Sequence, residues 1–257
     1  MIVIVFDFDD TLHATSHLYI NQPVDSNQPA VILPELADSV AKLLSAAKLI
    51  ADVVYIITNS EKGWVESCAQ KHLPGCEELF QSVEIITKDY IEWLDLTFEQ
   101  WKPANFIKKL SPHFQNEESH HLISFGDAMH DRMAAMAIQN KFPNVIVKNL
   151  LLLQNPSLEI LLVEHKMIEY VLTNLSLQET PFDLQTNINF ISNQPESSGT
   201  SITQKSESKS DSGTGTGMVN TSINAEGTGV ETEPVVSPTS ISSSSLSSSE
   251  EIFSLEL

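Results

Sequence analysis

Two aspartates that directly follow an apolar run are the residues of this chain best suited to chemistry. Asp7 and Asp9 come after residues 2–6, which read Ile-Val-Ile-Val-Phe, and a third acid, Asp10, follows them. If the chain stays extended there, both side chains leave it on the same side. Two carboxylates in one cleft can divide labour, one as ionised nucleophile or metal ligand and the other as acid. A polar loop or an Asx turn is the alternative interpretation.

Thr58, Asn59 and Lys102 form a second set of residues that could hold an anionic group. Thr58 and Asn59 follow the apolar residues 53–57 and offer a hydroxyl and a backbone N–H to a phosphoryl oxygen. Lys102 is predicted at the start of a helix with Pro103 in its first turn, where the macrodipole disfavours a cation unless something negative faces it. A helix cap or strand residue at Thr58 and a solvated side chain at Lys102 are the alternatives.

A third group follows the apolar residues 122–125. Gly126 would let the backbone pass close to a site, and Asp127 and Asp131 are four residues apart. On the predicted helix over residues 127–140, that spacing puts both carboxylates on one face, where they could flank a hard cation. Histidines near these groups match no common zinc spacing, and we assign none of them a catalytic role. These are His13, His17, His120, His121 and His130.

Short apolar runs alternate with helical patterns along the first part of the chain, which predicts an α/β fold. Continuous apolar runs are typical of strands buried on both faces, so we expect a parallel sheet with covering helices. Ligands of such sheets bind beyond the carboxyl ends of the strands, where the three polar groups fall. The predicted strands are 2–6, 53–57, 83–86, 122–125 and 145–147. The predicted helices are 35–50, a helix capped by Ser60 that runs to His72, one that starts at Pro103, 127–140 and 157–175.

Composition divides the chain into a folded domain over residues 1–175 and a tail over residues 176–257. The tail is acidic and rich in Ser, Thr and Gly, so it cannot bury enough surface to offset the entropy of ordering, and we expect it to be disordered. The dipeptide Ser237-Pro238 suggests a phosphorylation site, and a protein partner could bind the tail, although passive solubilisation is the simpler interpretation.

The formal charge of the chain at pH 7 is −20, which argues against nonspecific binding to nucleic acid or anionic membranes. Cys68 and Cys76 are too few for a disulfide framework and complete no zinc site. The opening residues lack the flanks of a signal peptide, and polar residues interrupt the apolar stretch 145–163. We therefore expect a cytoplasmic protein without a membrane span, with a nuclear location not excluded.

In order, these motifs resemble the four-motif signature of the haloacid dehalogenase superfamily. They read Asp7-x-Asp9-x-Thr11-Leu12, then Thr58, then Lys102, then Gly126-Asp127-x-x-x-Asp131. The resemblance covers nearly all of the predicted domain and none of the tail. It implies a Rossmann-like sheet with helices on both faces, a Mg²⁺ cofactor and a reaction through an aspartyl phosphate.

The resemblance also implies a role for each residue. Asp7 is the nucleophile and Asp9 the acid and then the base, while Thr58, Asn59 and Lys102 hold the phosphorylated substrate. Mg²⁺ is held by Asp7, the backbone carbonyl of Asp9, Asp127 and Asp131. The acid at Asp9 speaks against the dehalogenase branch, and the absence of a Lys-Thr-Gly run after Asp7 speaks against the transport ATPases.

A Mg²⁺-dependent phosphatase is the leading hypothesis, with a phosphorylated substrate of unknown class. The stretches between the motifs leave no room for a large cap domain, and capless members of the family often act on macromolecules. A non-catalytic phospholigand-binding or scaffold protein and a phosphotransferase are the alternatives. Specificity depends on loops, mainly residues 12–30 and 88–100, whose conformation the sequence does not determine.

Overall fold

A computed structural model describes residues 1–19, 31–88, 96–191 and 218–224. The chain divides into two compact units, Met1–Thr186 and Asn187–Leu257. The first unit contains all of the predicted site residues. The predicted disordered tail, residues 176–257, lies mostly outside the described residues, as do parts of the two loops expected to set specificity.

A six-stranded parallel sheet forms the centre of the first unit, which confirms the predicted α/β class. Its strands run in the order β3-β2-β1-β4-β5-β6. This is the order of doubly wound folds, in which ligands bind where the order reverses, here between β1 and β4. The strands are β1 (Ile2–Phe6), β2 (Val53–Glu61), β3 (Glu84–Lys88), β4 (His120–Gly126), β5 (Val145–Leu151) and β6 (Phe182–Ile191); β7 (Met218–Asn224) lies in the second unit.

Helices cover both faces of the sheet. Alternate strand residues, among them Val3 and Val5, pack with Trp101 and Phe106 on one face, while the other face carries α2 and α7. Burying one such side chain contributes about 1.5–3 kcal/mol. The helices are α1 (Thr15–Tyr19), α2 (Pro34–Ile50), α3 (Trp64–His72), α4 (Glu77–Gln81), α5 (Phe98–Leu110), α6 (Met129–Lys141) and α7 (Leu158–Leu177), with a 3₁₀ turn at Ser111–Phe114.

β6 and the starts of α3 and α5 differ from the sequence-based predictions. β6 lies beyond the predicted domain boundary at residue 175 and pairs with β5 through Phe182–Gln185. Ser60 does not cap α3, because it belongs to β2, and the helix starts after Gly63, which has a left-handed φ of 87°. Pro103 lies inside α5 rather than in its first turn, because the helix already begins after Thr97.

Two further features concern the side chains and the helices of the described residues. Cys68 and Cys76 are both buried and form no disulfide. None of the helices in the described ranges is both long enough and apolar enough to cross a membrane.

Candidate active site

Asp7 lies where β1 ends, at the reversal point of the sheet. Its backbone N–H donates to the carbonyl of Phe125 at the end of β4 (2.9 Å), so the strand pairing holds this position. The chain then turns sharply, and Asp10 adopts a left-handed φ of 55°, which aspartate tolerates better than most residues. The N–H groups of Leu12 and His13 both donate to the carbonyl of Phe8 (2.9 Å each). This turn leaves Asp7 buried and Asp9 half-buried beside a cleft.

Lys102 contacts two of the predicted acids at once. Its ammonium donates to Asp7 and also forms an ion pair with Asp131, and all three side chains are buried. The predicted position of Lys102 at a helix start is wrong, because it is an interior residue of α5. The dipole argument for Lys102 therefore fails, although negative groups do face it.

Burial and charge compete in setting the protonation of this cluster. Burial raises the pKa of Asp7 well above its ordinary value, Lys102 lowers it, and Asp131 and Asp127 raise it again. Burial would lower the pKa of Lys102, but the carboxylates of Asp131 and Asp7 outweigh burial and raise it. One buried cation thus faces three carboxyl groups, so a further positive charge would be stabilised here.

Asp127 and Asp131 reach the cluster from the link between β4 and α6. Only Asp131 is helical, because α6 starts at Met129, so the predicted helix start at residue 127 is wrong. Asp131 lies in the first turn, where its Oδ2 accepts a hydrogen bond from the N–H of Ala128 (3.0 Å). A Cβ on Gly126 would lie 2.3 Å from Cγ of Asp131, so only glycine fits there.

Asp7, Asp127 and Asp131 could hold a divalent cation. Each offers one carboxylate oxygen, and these oxygens lie within 4.8 Å of one another. Ligands around one Mg²⁺, which prefers oxygen, lie roughly 3–4 Å apart, so these distances allow the three oxygens to share one ion. Burial, with the charges of Asp131 and Asp10, raises the pKa of Asp127 to about 7, and the opposing charge of Lys102 does not offset them, so a bound cation would stabilise the ionised form. The three residues therefore fit Mg²⁺.

Asp9 directs its carboxylate toward hydroxyl and indole donors. Its Oδ2 accepts from Ser60 Oγ (2.6 Å) and Thr58 Oγ1 (3.1 Å), and its Oδ1 accepts from Thr15 Oγ1 (2.7 Å) and Trp64 Nε1 (2.8 Å). Thr58 also accepts from the N–H of Ser60 (3.1 Å). The hydroxyl predicted to hold a phosphoryl group is thus engaged with Asp9.

Asn59 differs from Thr58 because both polar atoms of its side chain are buried and have no hydrogen-bond partner among the described residues. It lines a cleft of about 250 Å³ that also contains most of the predicted residues. Buried amide groups without partners are rare and indicate a ligand or water. The cleft is lined by Asp7, Asp9, Asp10, Thr58, Asn59, Ser60, Asp127, Ala128 and His130.

A larger cavity of about 480 Å³ lies between α3, α4 and β3. Its lining includes the apolar residues Ala69, Phe80, Val83 and Ile85 together with acidic and amide side chains. The predicted site residues do not line it. Size alone therefore does not mark the reactive part of the molecule, and we place the candidate site in the smaller cleft, where the titratable groups converge.

Comparisons of the chain with protein-family models, with curated proteins and with solved structures found no match. The resemblance to the haloacid dehalogenase superfamily therefore stays a prediction from the motifs. The strand order, the contacts of Lys102 and the acidic cluster are the observations on which a function can be argued.

No role at this site was predicted from the sequence for four residues around Asp9, namely His13, Thr15, Ser60 and Trp64. A hydroxyl two residues after Thr58 was the one available signal for Ser60, since alternate strand residues share a face. Nothing local marks Trp64 or Thr15, because their contacts with Asp9 depend on how α3 and α1 pack.

Proposed function

We propose that this protein is a Mg²⁺-dependent phosphatase of the haloacid dehalogenase type, with Asp7 as its nucleophile. The observation that carries the proposal is the simultaneous contact of Lys102 with Asp7 and Asp131 at the reversal point of a parallel sheet. Asp7, Lys102 and Asp131 come from three separate stretches of sequence and are buried together. An ordinary ion pair on the surface would not need such an arrangement.

The charges of the cluster support attack on a phosphate ester. A buried carboxylate that approaches an anionic phosphate needs nearby positive charge, and Lys102 supplies one such charge. Asp7, Asp127 and Asp131 would hold Mg²⁺, which supplies further positive charge to offset repulsion when it is bound. Asn59 could donate its side-chain amide to a phosphoryl oxygen, because nothing in the described part of the chain accepts a hydrogen bond from it.

The proposed reaction has two steps in which the carboxylates of this chain take part. A carboxylate oxygen of Asp7 bonds to phosphorus as the bond to the leaving oxygen breaks, and Asp9 gives its proton to that oxygen. A water molecule then attacks phosphorus and releases Asp7, while Asp9 takes a proton from the water. Asp9 is thereby restored, and the products are an alcohol and inorganic phosphate.

Hydrolysis of 4-nitrophenyl phosphate with added Mg²⁺ tests this function. We expect Asp7→Asn to lower kcat by about a thousandfold or more, as losses of covalent nucleophiles do. A chelator should abolish activity, and Mg²⁺ should restore it. Asp38→Asn is a matched control, since Asp38 is an exposed residue of α2 paired with Lys42.

Full activity in Asp7→Asn, or activity that a chelator leaves unchanged, would contradict the proposal. Phosphate binding without turnover would instead favour a phospholigand-binding protein. A macromolecular phosphoester remains a prediction of the capless resemblance, and a screen of phosphopeptides, nucleotides and metabolites would identify the substrate class.

A further inference from the structure

The carboxylate of Asp9 accepts four side-chain hydrogen bonds, two on each oxygen. An ionised carboxylate has about four lone-pair positions, so these donors fill them. Four donors can reach one half-buried carboxylate only if several helices and strands bring them to it. The donors come from α1, β2 and α3, which approach Asp9 from different parts of the sequence.

The two oxygens of Asp9 differ in the kind of donor they face. Oδ2 faces the hydroxyls of Ser60 and Thr58, and both residues line the cleft. A hydroxyl can accept as well as donate, so either partner can reverse its role when Oδ2 carries a proton. Oδ1 faces the indole N–H of Trp64, which can only donate.

Thr15, the second partner of Oδ1, is held in one orientation by His13. The Nδ1 atom of His13 lies 2.8 Å from the hydroxyl oxygen of Thr15, and Thr15 donates its only hydroxyl proton to Asp9. His13 must therefore donate from Nδ1, which a neutral ring with its proton on Nδ1 and a protonated ring both do. The ring is fully buried and stacks on Phe8 with centroids 5.3 Å apart, so packing fixes its plane.

We propose that Trp64 and the His13–Thr15 pair are positioning residues that keep Oδ1 of Asp9 an acceptor, so that Oδ2 gives and takes the proton. This inference rests on the proposed function. The proton leaves Oδ2 for the leaving oxygen as the Asp7–phosphorus bond forms, and a proton from water returns to Oδ2 as that bond breaks. Trp64, Thr15 and His13 act through Asp9 and touch no substrate.

A comparison of two esters with different leaving groups distinguishes a residue that positions the acid from one with a merely structural role. The leaving oxygen of 4-nitrophenyl phosphate is stable without a proton, whereas that of an alkyl phosphate requires one. In Trp64→Phe, which keeps an aromatic ring without the N–H, we expect kcat/KM for the alkyl phosphate to fall about 10- to 100-fold, part of what general acid catalysis supplies. For 4-nitrophenyl phosphate we expect less than about a threefold change, with KM similar for both.

Trp101→Phe is the matched control because it makes the same change at a buried indole whose N–H has no hydrogen-bond partner. Any loss in that variant should be equal for the two esters. His13→Asn and His13→Leu form a second pair, since asparagine keeps a donor near the Nδ1 position and leucine has none. We expect His13→Asn to recover most of the alkyl phosphatase activity that His13→Leu loses.

Urea unfolding of each variant establishes that it folds, and Thr15→Val replaces Trp64→Phe if the latter does not. Equal losses for both esters, or equal behaviour of the two His13 variants, would overturn the positioning role while leaving the proposed function intact. A wild-type protein that hydrolyses no phosphate ester would overturn both. Asp9→Asn should show the same leaving-group pattern as Trp64→Phe, and a different pattern would also refute the positioning role.

Discussion

At the scale of single residues, Gly126 packs directly against the side chain of Asp131. An added Cβ would lie 2.3 Å from Cγ and 2.5 Å from Oδ2 of Asp131, closer than the 3.0 Å below which Cβ atoms of folded proteins essentially never make contacts. The side chain of Asp131 could move away from the added Cβ only by breaking its ion pair with Lys102 and its hydrogen bond from the N–H of Ala128. Its carboxylate would then stay buried with fewer partners, which is costly.

We therefore expect Gly126→Ala to lower the free energy of unfolding by about 1–3 kcal/mol, as overpacking does. Activity on 4-nitrophenyl phosphate should fall at least about tenfold if the proposed function holds, since displacing a supporting side chain by 1 Å can cost about a hundredfold. Urea titration and initial rates measure the two effects. Ser124→Ala, which removes a buried hydroxyl without a partner from the same strand, should change stability by less than about 1 kcal/mol.

The sequence predicted which polar residues follow the strands, but it did not predict all of the side chains that contact them. The apolar runs before Asp7, Thr58 and Asp127 indicated where a parallel sheet would bring polar groups together, and all three line one cleft. Lys102 was predicted from a wrong helix start, yet it does contact acids. The donors around Asp9 could not be predicted, because Trp64 reaches it through tertiary packing across 55 positions of the chain.

At the scale of elements, Glu164 connects α7 to β6. Its Oε1 accepts from the N–H of Leu153 (2.8 Å) and the hydroxyl of Thr186 (3.0 Å), while Oε2 is buried without a partner. Burial raises the pKa of Glu164 from 4.5 to about 7. Between these pH values the folded state keeps a proton that the unfolded state has released, so this group lowers stability as pH rises through the window.

Glu164→Gln removes this titration and keeps an acceptor oxygen. We expect its stability relative to the wild type to increase between pH 4.5 and about 7 and to level off above, with a gain of at most about 3 kcal/mol. Urea unfolding at several pH values measures the difference. Glu169→Gln, at an exposed position of α7, should show no such trend. A gain for Glu164→Gln that does not depend on pH would contradict the assignment.

The first residues of the helices show how far local sequence signals determine where a helix begins. Ser157 caps α7 with its side chain and Pro34 is the first residue of α2, so both helices begin within one residue of the predicted starts at 157 and 35. α5 begins earlier than predicted because the side chain of Gln100 accepts a hydrogen bond from the N–H of Thr97 at its start (3.2 Å), and the helix tolerates Pro103 in its interior. Tertiary packing of Trp101 and Phe106 compensates for the hydrogen bond that proline removes.

At the scale of the whole molecule, β6 sets the extent of the folded unit. Leu184 is buried, and Asp183 accepts from Arg132 Nε (2.6 Å) and Asn149 Nδ2 (2.8 Å). Composition did not reveal this strand because about half of its residues are polar, although their alternation with Phe182 and Leu184 is the pattern of a half-buried strand. The predicted boundary at residue 175 would remove it together with the end of α7.

Chains of different length test this contribution. A chain that ends at Ile191 keeps β6, and a chain that ends at Pro181 keeps all of α7 but lacks the strand. We expect the shorter chain to be less stable by about 3–5 kcal/mol, because it loses a buried leucine, an ion pair and several hydrogen bonds. Equal unfolding midpoints would show that β6 contributes little. A chain that ends at Leu175 should be less stable than both.

The contact between Lys102 and Asp7 also affects the order in which the parts of the protein fold. It joins residues 95 positions apart, across strands whose parallel pairing is itself non-local. Contacts of this kind form slowly, because the chain must close long loops before they contribute. A nascent or partly refolded chain therefore carries the aspartates without their buried counter-ion, and we expect the reactive centre to be among the last parts of the protein to assemble.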